Sequence, residues 1–114
     1  MHPFIKSHLP AIHALCKEHG VARLYLFGSA RGEDFDVENS DVDVLVEMLP
    51  MEPLEAGRKI RKLRFGLEEI FETWVDLIDQ HGIDHATLTN PYFIKELEET
   101  KELIYDSQGA EIPA

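Results

Sequence analysis

The sequence predicts a small α/β domain, a mixed β-sheet with helices packed on one face. Two observations carry that expectation. A chain of 114 residues that is 44% hydrophobic is long enough for one modest core and too short for two. Its apolar residues switch between helical and strand periods in the order helix, strand, strand, helix, strand, helix and a closing short strand, the order of an α/β sandwich. The domain is expected to span residues 1–106, with 107–114 a flexible tail.

Ile5, Leu9, Ile12, Leu15 and Cys16 follow a helical period. Ser7 is a candidate cap, Pro10 fits a first turn and Gly20 a C-terminal stop, so a helix is expected over 8–19. Residues 21–27 are rich in aliphatic and aromatic side chains and end in Gly28-Ser29, which reads as a strand running into a turn. A polar loop over 30–40 leads to a second strand at 41–47. There Asp41, Asp43 and Leu45 share one face, and Val42, Val44 and Val46 the other. Pro50 and Pro53 punctuate its exit. Ile60, Leu63, Leu67, Ile70 and Phe71 then define an amphipathic helix over 54–72. Residues 74–78 form a third, apolar strand interrupted by Asp76. Asn90-Pro91 reads as a cap and first-turn proline before a helix over 92–100, and 103–105 as a short edge strand.

Composition excludes several functions. Acidic residues outnumber basic ones 22 to 11, a net charge of −11, which is unsuited to gripping duplex nucleic acid by phosphate neutralisation. A single cysteine, Cys16, forms no internal disulfide, and no stretch approaches the roughly 18 apolar residues of a membrane helix, so a cytoplasmic protein is expected. The charge is polarised. Seven carboxylates and no basic residue lie between Glu33 and Glu47, whereas Arg58, Lys59, Arg61, Lys62 and Arg64 fall within seven positions. That basic run suits a docking face, a triphosphate contact or an ordinary solvated helix face.

Asp41 and Asp43, two apart in a strand, place two carboxylates on one side about 7 Å apart along the chain. Like charges so placed repel unless a cation lies between them, and magnesium prefers such hard oxygen donors, often alongside substrate phosphates. A solvated strand face is the alternative. Gly28-Ser29, directly after a strand, suits a phosphate-cradling turn, although Gly-Ser is also an ordinary turn. Asp76, inside an apolar run, would be costly if buried unpaired, so it calls for a shared cation; otherwise it lies on an edge strand and faces water. His81 and His85 are read as surface histidines, Cys16 as a core residue, and Tyr25, Phe35 and Trp74 as core or loop anchors, with contact to an adenine ring as the alternative.

Taken together, Leu26-Phe27-Gly28-Ser29, Arg31-Gly32, Ser40 to Val46 and Val75-Asp76-Leu77-Ile78 resemble the signature of minimal nucleotidyltransferases of the DNA polymerase β-like superfamily. Asn90-Pro91-Tyr92-Phe93 and Leu103-Ile104-Tyr105 extend the likeness over nearly the whole chain. Only Ala30 separates Gly28-Ser29 from Arg31-Gly32, where related sequences usually carry two residues.

The resemblance implies a nucleotidyltransferase palm. In it Gly28 and Ser29 hold the nucleotide phosphates and Asp41 and Asp43 ligate two Mg2+ ions. Asp76 completes the metal site and helps deprotonate an acceptor hydroxyl. It also implies ATP as donor of AMP, and a tyrosine of a HEPN-domain toxin as acceptor, with the chain as antitoxin. Two other readings stay open: an antitoxin that silences its toxin by contact without turnover, and a homo-oligomeric transferase of small molecules, as for aminoglycosides. Neither a kinase motif set nor a P-loop is present, which disfavours transfer of the γ-phosphate.

Overall fold

The computed structural model describes residues 3–27, 42–81, 95 and 99–109. Two helices open the chain, α1 (Pro3–Ser7) and α2 (Leu9–Glu18), where one was expected over 8–19. Pro10 explains the division. With no N–H and a ring that clashes with the carbonyl four residues earlier, it cannot sit inside a helix running through from Pro3, and it occupies the first turn of α2 instead. Ser7 does not cap α2; its hydroxyl donates to the Phe4 carbonyl at 2.8 Å and closes α1. Gly20, at φ +71°, supplies the left-handed residue that ends α2.

The remaining elements are β1 (Val21–Phe27), β2 (Val42–Met48), α3 (Pro53–Phe71), β3 (Val75–Asp79) and β4 (Glu102–Asp106), each within about a residue of its expected bounds. The helix expected over 92–100 falls mostly outside the described residues, of which Lys95, Glu99 and Thr100 are helical. Beyond β4, the Ser107 N–H donates to the Ala22 carbonyl.

The sheet is mixed, in the order β3-β2-β1-β4, with β1 antiparallel to both β2 and β4, and β2 parallel to β3. A parallel pair needs a crossover, and α3 provides it. Leu24 and Leu26 of β1, Val42, Val44 and Val46 of β2, and Val75 of β3 face the helices. They form one core with Ile5, Ile12, Cys16, Leu63, Leu67 and Phe71. Gly66 lets α3 approach α2, since a Cβ there would lie 2.7 Å from both Leu15 methyl groups. The His13 ring donates from Nε2 to the Ile104 carbonyl at 2.6 Å and ties α2 to β4. No helix among the described residues is long and apolar enough to cross a membrane.

Cys16 is a core residue, as expected, and burial pushes its thiol up to about 12 from an ordinary 9.0. The unfolded chain therefore gives up this proton first, and the stability tied to it falls as pH rises above 9. Urea unfolding at alkaline pH should show the wild type losing stability relative to Cys16→Ala, with a limiting slope of ~1.4 kcal/mol per pH unit. Parallel curves for the two proteins would contradict this burial.

Candidate active site

Strand alternation separates two chemistries on the sheet. On β2, Val42, Val44 and Val46 turn toward the helices, which sends Asp43, Leu45 and Glu47 to the second face. On β3, Val75 and Leu77 pack against the core, so Asp76 and Ile78 join that second face. The parallel register pairs Val42 with Val75 and therefore Asp43 with Asp76, whose Cα atoms lie about 4.8 Å apart by ordinary sheet spacing. Phe27 is the partner of Asp43 on the other side, so Phe27, Asp43 and Asp76 form one row across three strands.

Of the residues singled out in the sequence, the structure thus brings Asp43 and Asp76 together. Gly28, Ser29 and Asp41 lie outside the described residues, as do Phe35 and His85. In the chain, Gly28-Ser29 follows Phe27 directly and Asp41 precedes Val42.

Asp76 is exposed on an edge strand, so the expectation that it is buried and in need of compensation does not hold. Burial cost does not constrain it; proximity does. It makes no hydrogen bond or ion pair among the described residues, and it faces the same way as the half-buried Asp43. Two carboxylates in direct register on one face offer hard oxygen donors to a divalent cation, and the pair fits magnesium in that respect. Among the described residues no group of three or more His, Cys, Asp or Glu side chains clusters in a metal-binding arrangement.

The start of β3 is pinned from the helix side. The Val75 N–H, the first of the strand, donates to Glu68 Oε2 of α3 at 3.1 Å, and Arg64 Nε lies 3.8 Å from the same oxygen. The Val42 N–H donates to the Trp74 carbonyl at 3.0 Å, fixing the register one residue before the acids. Further along the second face, Arg23 Nε donates to Asp106 Oδ2 at 3.3 Å and Nη1 to Glu47 at 3.4 Å. The Asp106 bond first, then the two carboxylate charges, hold its guanidinium protonated. Lys101 Nζ lies 4.3 Å from the centre of the Tyr25 ring. A cavity of about 390 Å³, lined by Met48, Met51, Ile60, Asp79 and His81 among others, opens at the carboxyl ends of β2 and β3. Four residues of strand, about 13 Å, separate that end of β2 from Asp43, so the cavity is not part of this site.

Sequence reasoning did not place Trp74, which precedes β3, at the surface. Trp74, read as a core or loop anchor, is 70% exposed. The signal was its position one residue before the strand, on the same parity as Asp76. The basic run lies on α3, across the sheet from the acid pair.

The nucleotidyltransferase domain family matches residues 11–107. No curated protein matches the chain. Among solved structures, it is similar to a protein assigned as a minimal nucleotidyltransferase, at 24% identity and a TM-score of 0.64 over 85% of this chain and 89% of that one. It is also similar to a toxin-antitoxin structure containing AMP-PNP, at 18% identity and a TM-score of 0.62, over 88% and 74% of the two chains. A third likeness is to the complex of tri-AMPylated Shewanella oneidensis HEPN toxin with MNT antitoxin, at 16% identity and a TM-score of 0.54, over 90% and 73%. At these identities the likeness is one of fold.

The exposed position of Asp76 makes a prediction about stability. Asp76→Asn should change the free energy of unfolding, measured by urea titration without added metal, by less than ~0.5 kcal/mol. A gain of several kcal/mol would mean that the carboxylate is buried after all.

Proposed function

The chain belongs to the nucleotidyltransferase domain family, and from that premise we propose that it transfers AMP from ATP to a hydroxyl group, the acceptor being a tyrosine of a HEPN-type toxin that the transfer silences. The observation that carries the reading is the register of Asp43 with Asp76 on the open face of the sheet. Support for the donor comes from the AMP-PNP structure, and for the acceptor from the AMPylated HEPN complex, both of which share this fold. A reduced, buried Cys16 and an ATP donor suit the cytoplasm.

The chemistry is a displacement at phosphorus. The acceptor oxygen bonds to the α-phosphorus, the bond from that phosphorus to the bridging oxygen breaks, and pyrophosphate leaves. Gly28 and Ser29, following β1, hold the phosphates through backbone N–H groups and a hydroxyl. Asp41, Asp43 and Asp76 hold two Mg2+ ions. When bound, these ions supply charge neutralisation at the phosphates and a lowered pKa at the acceptor hydroxyl. Asp76, exposed at the sheet edge, is reached by an incoming side chain and takes up the hydroxyl proton. Asp43, nearer the sheet centre, is held more rigidly by strands on both sides.

The test is incubation with Mg2+, ATP labelled at the α-phosphate and a candidate HEPN partner. Label should reach the partner, and Asp43→Ala or Asp76→Ala should reduce its transfer by at least ~100-fold. Chelation with EDTA should abolish it. Silencing of the toxin by the wild type with no label transferred would assign neutralisation to contact alone. Label moving only from the γ-phosphate would overturn nucleotidyl transfer.

A further inference from the structure

Every exposed large hydrophobic side chain among the described residues falls in one stretch: Leu49, Leu54, Phe65 and Trp74. Leu54 and Phe65 are 69% and 58% exposed on α3. Between them stand Arg58 and Arg61, so the spacing Leu54, Arg58, Arg61, Phe65 keeps to one helical face, opposite the buried Leu63 and Leu67. Single exposed apolar residues are ordinary on a protein surface; an aligned row is not.

The cations of this row are also uncommitted. Lys59 pairs with Glu55 and Arg64 with Glu68, but no hydrogen bond or ion pair engages Arg58, Arg61 or Lys62 among the described residues. In a chain with twice as many acids as bases, free Arg58 and Arg61 on the row, with Lys62 on its flank, oppose the charge of the molecule as a whole. The row leads toward the active end. Phe65 lies six residues, about 9 Å of helix, before the end of α3. Trp74 follows that end, with its carbonyl bonded to Val42 and its side chain on the parity of Asp76.

We infer that the outer face of α3 docks the acceptor protein through an acidic surface of that partner, which reaches round the β3 edge to set an apolar patch against the indole of Trp74. The inference rests on the proposed transfer to a protein acceptor and adds where that protein sits. Exposed Trp and Arg are the side chains that most often anchor protein interfaces. A nucleic acid fits the row poorly: three cations cannot offset a polyanion against a net charge of −11, and Leu54 and Phe65 offer phosphates nothing. A nucleobase on Trp74 would need enclosing walls, which an indole exposed to this extent lacks.

Trp74 is the sole tryptophan, so its fluorescence reports docking directly. Binding is measured by titrating the candidate HEPN partner, in a variant without tryptophan, into the full chain carrying Asp43→Asn, so that no transfer perturbs the readout. The indole emission should shift to the blue. By calorimetry, Trp74→Ala and the pair Arg58→Glu with Arg61→Glu should each weaken the affinity at least ~10-fold. Lys6→Glu with Lys17→Glu, which changes the net charge equally on exposed sites of α1 and α2, should leave it within about twofold. Circular dichroism melts on all variants separate lost docking from lost folding.

Equal affinity in the stripe variants would overturn the assignment, as would a wild-type chain that does not bind the partner. So would sedimentation showing that the stripe variants dissolve a homodimer without altering partner affinity, or binding of a labelled single-stranded RNA that alone is lost in them. Docking mapped to the stripe with no transfer of α-phosphate label by the wild type would instead sink the proposed reaction and leave the docking surface standing.

Discussion

The parallel pairing of β2 with β3 is the constraint on which this chain's chemistry depends. A slip of one residue in that pairing would carry Asp76 to the helix side and bring Val75 or Leu77 to the open face. The core prevents it. Val42 and Val44 on β2, Val75 and Leu77 on β3, and Leu63, Leu67 and Phe71 on α3 are buried or packed against the buried cluster, so a slip would place a carboxylate among them. The Trp74 carbonyl and the Glu68 carboxylate secure the same register at the entrance to the strand. Residues that touch no substrate therefore determine that two acids stand side by side.

The valine alternation on β2 and the apolar period of α3 were legible because each is a local pattern, repeated over two turns or three strand pairs. Pro10 was read as a first-turn residue correctly, yet the short helix before it was not separated, because five residues carry too little periodicity to stand apart from ten. The exposure of Asp76 on an edge strand stood in the sequence only as the alternative to burial. It follows from β3 being the edge strand in the order β3-β2-β1-β4, and strand order is a long-range property that no local pattern encodes. Trp74 failed for a related reason: a tryptophan beside an apolar strand suggests the core, but it precedes an edge strand and shares a face with the acid rather than with the valines.

The sheet also divides the molecule's electrostatics. Asp43 and Asp76 occupy one face, and the basic run of α3 lies beyond the core on the other, so Arg58, Arg61 and Lys62 cannot reach across to neutralise the acids. Among the described residues, Arg23 and Lys101 have partners of their own. Arg23 is held between Glu47 and Asp106, and Lys101 lies over Tyr25. Arg23 stands four residues along β1 from Phe27, the partner of Asp43.

The same division leaves α3 with an outer face that the core does not use. The interface between the helices and one face of the sheet holds nearly all the buried apolar residues, and the second face is left for chemistry, with Leu45 fully buried within it. The outer face of α3 costs nothing further, because it already exists as the back of a helix whose other side builds the core. Recruiting that back face, with Trp74 linking it to the edge strand that carries Asp76, lets one helix stabilise the fold and orient a partner.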